Sequence, residues 1–189
     1  MKKSSLIVAI MCVFALVLSV SCKTASSNSL SENSGKQVIV IYEGVFIDNT
    51  QEVLDIISKT RGDLEPYEHQ KDDEFHVTVA YEPENPMLDK IGTKVDVHIT
   101  GYDREVVHVD GVEASAEALS VTLHTDDEAL QQYFDKNGMN WHITCSYSLK
   151  PIYSKFMDFS DANMIDYVVT GTFAAYLGDG VYAFSVDEL

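Results

Sequence analysis

The apolar positions of this chain repeat sometimes every second residue and sometimes every third or fourth, and each change of period marks an expected element. Val38 to Ile47 is a strand-like apolar run. Asn49 with Glu52 has the form of a capping box, after which Val53, Ile56 and Ile57 mark one face of a short helix ending near Gly62. The charged stretch Asp63 to Glu74 is expected as a loop leading into the alternating strand Phe75 to Tyr81, and Glu82-Pro83-Glu84-Asn85-Pro86 breaks the chain. Further alternation predicts strands over Lys94–Tyr102, Glu105–Val109 and Ala118–His124. Thr125 with Glu128 forms a second capping box, opening a helix that turns Leu130, Tyr133 and Phe134 inward and stops at Gly138. Trp141 to Tyr147 alternates again. Leu149 to Ile165 has no clean period and is expected as a loop with a short helix. The end reads as a hairpin: Asp166–Leu177, a Gly178-Asp179-Gly180 turn, then Val181–Val186. Many strands and few helices, in no strict alternation, predict an α+β fold with antiparallel sheets.

The first residues follow a different rule. Two lysines precede an apolar run from Leu6 to Val20, which ends at Ser21-Cys22. A basic start, an apolar core and a small residue before the cut describe an export signal, and the run is short for a membrane-spanning helix, which needs about 20 apolar residues. The cysteine after the small residue resembles the bacterial lipoprotein signal, in which the thiol is acylated and becomes the new N-terminus. Residues 1–21 are therefore expected to be removed, Cys22 to carry lipid, and residues 22–36, rich in Ser and Asn, to act as a flexible tether. That leaves residues 37–189 as one folded domain, exported and lipid-anchored to the cell envelope on its periplasmic or outer face. Ordinary cleavage with Cys22 left free is the competing expectation.

Composition narrows the partners. The formal charge is −17, and losing Lys2 and Lys3 with the leader makes it more negative still. Such a surface repels phosphate backbones, so tight binding to long nucleic acid is not expected, while a small anionic substrate remains compatible with a locally favourable pocket. Of three cysteines, Cys12 leaves with the leader and Cys22 takes lipid, so Cys145 has no partner for a disulfide and alternates into the core. No Cys/His set has zinc spacing, and no metal or cofactor is expected. The acidic clusters Asp72-Asp73-Glu74 and Asp126-Asp127-Glu128 are read as a solvated loop and a helix start.

Three of the six histidines have threonine two places on: His76-Val77-Thr78, His98-Ile99-Thr100 and His142-Ile143-Thr144. Chance placement of the 11 threonines gives about 0.35 such pairs. On a strand, residues i and i+2 share a face, so imidazole and hydroxyl project side by side while Val77 or Ile143 fills the core behind. Two such strands facing each other suit a phosphodiester: a neutral imidazole activates water, an imidazolium protonates the leaving oxygen, and hydroxyls bond the non-bridging oxygens. His98 and Thr100 are expected on the outward face of a structural strand, and His69, His108 and His124 at the surface.

The paired His-x-Thr motifs resemble the signature motifs of the 2H phosphoesterase superfamily, nearest to the catalytic domain of 2′,3′-cyclic-nucleotide 3′-phosphodiesterase and the cyclic phosphodiesterase domains of tRNA ligases. The likeness covers Phe75-His76-Val77-Thr78, Asn140-Trp141-His142-Ile143-Thr144 and the closing stretch Gly171 to Tyr182 with its Leu177-Gly178-Asp179-Gly180 turn. His76 and His142 lie 66 residues apart, within the family's range, whereas His98 fits neither partner. Asn140 and Trp141 stand where family nucleotidases often carry a basic residue, leaving Lys150 or Lys155 to supply positive charge. The resemblance implies a two-lobed fold, with two antiparallel sheets facing a central cleft and helices on the outer faces. It implies metal-independent opening of 2′,3′-cyclic phosphates on nucleotides or short RNA ends to give 2′-phosphates. His142 would act as base and His76 as acid, or the reverse, with Thr78 and Thr144 holding the phosphate. The rival expectation is an envelope-anchored lipoprotein that binds a nucleotide or other ligand without turnover.

Overall fold

Alternation with buried Val, Ile and Phe at every second place drives most of the chain into strands, and the computed structural model describes residues 38–138 and 140–189. The expected leader, the lipidated Cys22 and the tether lie outside the described residues. In chain order the elements are β1 (Tyr42–Ile47), α1 (Thr50–Arg61), β2 (His69–Gln70), β3 (His76–Tyr81), β4 (Lys94–Val109), β5 (Val112–His124), α2 (Glu128–Asn137), β6 (His142–Tyr147), β7 (Asn163–Gly178) and β8 (Val181–Ala183). Short 3₁₀ turns cover Leu88–Lys90, Pro151–Phe156, Phe159–Asp161 and Val186–Glu188. The fold is α+β with an antiparallel sheet and two α-helices among the described residues. None of those helices is long and apolar enough to cross a membrane.

The strands join in the order β2-β6-β5-β4-β7-β1-β3, with β8 added on β7. This corrects the expectation of two separate sheets. The chain was expected to break between Tyr102 and Glu105, but β4 runs straight through as 16 residues and pairs with β5 from Asp96 to Val109. On its other side β4 pairs with β7, and β7 then pairs with β1, so one ladder crosses what would have been the gap between sheets. The Asp103 carboxylate accepts the Arg104 N–H, and the Arg104 guanidinium lies 4.4 Å from the centre of the Tyr67 ring. These contacts let a charged pair sit in a strand. Asp110 and Gly111, both at positive φ (52° and 79°), make the two-residue turn into β5.

One face of the sheet carries the core. Val45 and Ile47 of β1, Val77 and Val79 of β3, Val95, Val97 and Ile99 of β4 and Ile143 and Cys145 of β6 all belong to a single buried cluster. Helix α1 adds Val53, Ile56 and Ile57 to it, and α2 adds Leu130 and Phe134. Both helices therefore cover the same face. The ends of the ladder share this core, and β3 approaches β6 although the two are far apart in strand order. The sheet is curled around its helices, and the curl brings the two strands together.

The helix starts differ in detail from expectation. Asp127, not Thr125, caps α2, accepting the N–H groups of Ala129 and Leu130. Asn49 precedes α1 without capping it, and its amide donates to Glu52 Oε1 instead. Two carboxylates are wholly buried. Glu117 on β5 receives Nε and Nη2 of Arg61, each at 2.7 Å, with the hydroxyls of Tyr102 and Ser146 completing its shell. Burial pushes the Glu117 carboxyl up, but hydrogen bonds from Arg61, Ser146 and Tyr102 outweigh it and leave the group below its usual range. Glu43 has no cation; it accepts Met87 N–H at 2.6 Å and the Tyr133 hydroxyl at 2.6 Å, and burial raises its pKa.

Candidate functional site

Because Val77 and Ile143 point into the core, period two turns His76 with Thr78, and His142 with Thr144, to the opposite face. Strands β3 and β6 approach one another, so the two outward-facing pairs are carried on elements in contact. Thr78 is exposed and lies in register with Gly44 of β1, where a Cβ would come 2.7 Å from the Val77 carbonyl.

His76 sits among rings. Its imidazole stacks on Tyr42 at 5.4 Å and lies 5.1 Å from Phe46, and Tyr182 and Phe184 close on Phe46 edge-on. Nδ1 is buried and lies 3.2 Å from Glu74 Oε1, close enough for an ion pair but off the line of a full hydrogen bond. The Tyr182 hydroxyl, at 3.4 Å, donates to the same oxygen. The contact with His76 is the largest influence on Glu74 and holds its carboxyl below the usual range. Glu74 therefore belongs to the site and not to a solvated loop. An acid two places before a strand histidine shares its face, and that spacing was the available signal.

His142 is enclosed differently. Its Nδ1 lies 2.8 Å from the Asn140 carbonyl, which can only accept, so Nδ1 carries the hydrogen. Nε2 lies 2.9 Å from Ser154 Oγ, and the same oxygen is 2.7 Å from Thr144 Oγ1 and 2.7 Å from the Pro151 carbonyl. Phe159 stacks over the ring at 6.3 Å. Burial lowers the pKa of His142; the Asn140 carbonyl opposes this and the charge of His76 adds to it. The 3₁₀ turn that brings Ser154 is fixed because Met157, Tyr153 and Phe159 pack on the small residues Ala114, Ala116 and Ala118 and on Val107.

The remaining candidates fall elsewhere. His98 and Thr100 lie on β4, with Val95, Val97 and Ile99 inside; His98 meets His124 edge-to-face at 4.6 Å and Thr100 bonds Ser120. His69, His108 and His124 are exposed, and Cys145 is in the core. Lys150 and Lys155 are exposed, and Lys155 holds its ammonium over the Phe156 ring instead of toward the histidines. Among the described residues no three His, Cys, Asp or Glu side chains converge to hold a metal. Two surface cavities, of about 420 Å³ beside Arg61 and about 370 Å³ beside Trp141, are not lined by either His-x-Thr pair. Neither family models, nor curated proteins, nor solved structures match this chain, so its chemistry has to be argued from the two imidazole–hydroxyl pairs themselves.

Proposed function

We propose that the protein hydrolyses 2′,3′-cyclic phosphates on nucleotides or short RNA ends without a metal, by paired-histidine chemistry of the 2H phosphoesterase kind. One observation carries this reading: the curled sheet sets β3 beside β6 with both imidazoles on the face away from the core, close enough to share a field. His142, half-buried and with its pKa lowered, is neutral near pH 7 and suits the base. Water attacks phosphorus and gives a proton to His142, the P–O3′ bond breaks, and O3′ takes a proton from His76. The product is the 2′-phosphate. Glu74 beside Nδ1 can balance positive charge on His76, and Thr78 donates to the non-bridging oxygens, while the Thr144 hydroxyl, 2.7 Å from Ser154 Oγ, is engaged there. The test is release of 2′-phosphate from 2′,3′-cyclic AMP in the presence of EDTA. Turnover that persists in both His76→Ala and His142→Ala, or that EDTA abolishes, overturns the reading.

The covering of both rings favours a second reading, a lipid-anchored module that binds a nucleotide or another ligand without turnover. Saturable nucleotide binding with no product release selects it.

A further inference from the structure

Three oxygens and one ring form a continuous chain at β6. Thr144 Oγ1 is 2.7 Å from Ser154 Oγ, Ser154 Oγ is 2.9 Å from His142 Nε2, and His142 Nδ1 is 2.8 Å from the Asn140 carbonyl. Ser154 is 1% exposed, whereas Thr144 is only partly buried. The proton directions are set from one end. Since Nδ1 must donate to Asn140, Nε2 of the neutral ring has only a lone pair, and the atom facing it is the Ser154 hydroxyl. A water molecule cannot use that lone pair directly while Ser154 occupies it.

We propose that Ser154 is a relay and positioning residue, the middle link of a hydroxyl wire carrying a proton from half-buried Thr144 to His142. The inference rests on the phosphodiesterase reading for its chemistry. As water attacks phosphorus, its proton passes to Thr144 Oγ1, the Thr144 proton to Ser154 Oγ, and the Ser154 proton to Nε2. One O–H bond forms and one breaks at each hydroxyl, so both end neutral and the positive charge rests on His142. The Pro151 carbonyl, 2.7 Å from Ser154 Oγ, gives the serine proton a second acceptor once Nε2 carries hydrogen. The relay thus stays bonded in both protonation states of the ring. Ser154, facing Nε2, also helps the Asn140 carbonyl keep the ring in the Nδ1–H form that a base at Nε2 requires.

Few other charges bear on this ring. His76 on β3 is the titratable neighbour whose charge reaches it. On the covering turns, Lys155 lies over Phe156, Asp158 accepts Ser160 N–H, and Tyr153 packs in the apolar cluster. Glu117 of β5 is bonded to Arg61.

The experiment combines turnover of 2′,3′-cyclic AMP with ¹⁵N NMR titration of His142 in the full chain. Ser154→Ala, which only removes an oxygen, should lower kcat about ten- to hundredfold with KM changed less than about twofold, the scale of one lost buried hydrogen bond to a charged group. It should also move the His142 titration to lower pH and weaken the Nδ1–H preference. Ser154→Thr, which keeps the hydroxyl, should restore the tautomer. Thr144→Val should reproduce the kcat loss while leaving the tautomer intact. Wild-type titration and tautomer in Ser154→Ala overturn the inference, and so does full kcat in Thr144→Val. If the wild-type chain releases no product at all, the phosphodiesterase reading fails separately, and the titration alone still decides whether Ser154 governs His142.

Discussion

His76 lies among aromatic rings with a carboxylate at Nδ1, whereas His142 lies under a 3₁₀ turn with a carbonyl at Nδ1 and a hydroxyl at Nε2. The two strands carry the same His-x-Thr pattern and turn it to the same face. What differs is supplied by other elements: Glu74 and the β8 hairpin for His76, and the Pro151–Asp161 turns for His142. A carboxylate can balance a positive ring; a carbonyl and a serine cannot do so by charge. The repeat therefore fixes where each imidazole points, and its neighbours decide which one is suited to take a proton and which to give one.

The most direct way to break this comparison is to remove each ring in turn. His142→Ala and His76→Ala should each lower kcat by about 10²–10⁴, the usual range for losing a general acid or base. Because the two act in one proton-transfer cycle, the double variant should lose little more than the worse single one. Losses that multiply would mean the rings act independently.

The next effect separates the two regions by stability. Strand β6 is tied to α1 through Ser146, Glu117 and Arg61, and among the described residues no fully buried ion pair ties β3 to another element. Arg61→Ala leaves a buried carboxylate unpaired and should destabilise the fold by about 3–5 kcal/mol, measured by urea unfolding. The same melt on Glu74→Gln should move far less, since Glu74 is partly exposed and its partner is a surface-facing ring. Equal losses would remove the distinction between a braced strand and an unbraced one.

Strand alternation was enough to place both His-x-Thr pairs outward and Cys145 inward, because period two is local. The single sheet was not legible where charge interrupted the pattern. Asp103 and Arg104 look like a turn, yet the Asp103 carboxylate on the Arg104 N–H and the Arg104 guanidinium over the Tyr67 ring hold them in an extended strand. The Asp110-Gly111 hairpin signal was present and is where the turn falls. The first half of β5, Val112 to Glu117, alternates Val112, Ala114 and Ala116 with Glu and Ser, but alanine makes that stripe weak; β4 and the 3₁₀ turns cover it. Ser154 carried no signal at all, since its meaning comes from a ring 12 residues away on another element.

A milder change tests the carboxylate alone. Glu74→Gln keeps the shape and a hydrogen-bonding oxygen but removes the charge beside His76. It should lower kcat by about tenfold to a hundredfold, corresponding to roughly 1.5–3 kcal/mol for a hydrogen bond to a charged group. KM should hold nearly steady, because Glu74 acts through His76. A rise in KM with kcat unchanged would place Glu74 in substrate binding instead.

The smallest effect concerns the field between the rings and leaves neutral-pH turnover untouched in the wild type. Burial, opposed by the Asn140 carbonyl and reinforced by His76, puts the folded pKa of His142 below the usual 6.5. Between the unfolded and folded values the unfolded chain binds the extra proton, so this group's contribution to stability is complete above about pH 6.5 and is lost as pH falls toward the folded pKa. Glu74 and Glu117, also held low, extend the loss to more acid conditions, while Glu43, raised by burial, works in the opposite sense. A base must be neutral, so the rate should rise with pH on its acid limb, with a midpoint below the usual 6.5 of a free imidazole. Replacing His76 by Gln deletes the one positive neighbour, which eases protonation of His142 and should carry its NMR titration to higher pH. The shift has a fixed sign whatever the residual turnover. A midpoint that stays put, or moves down, would mean the rings do not share a field, and the shared site would then reduce to two separately satisfied histidines.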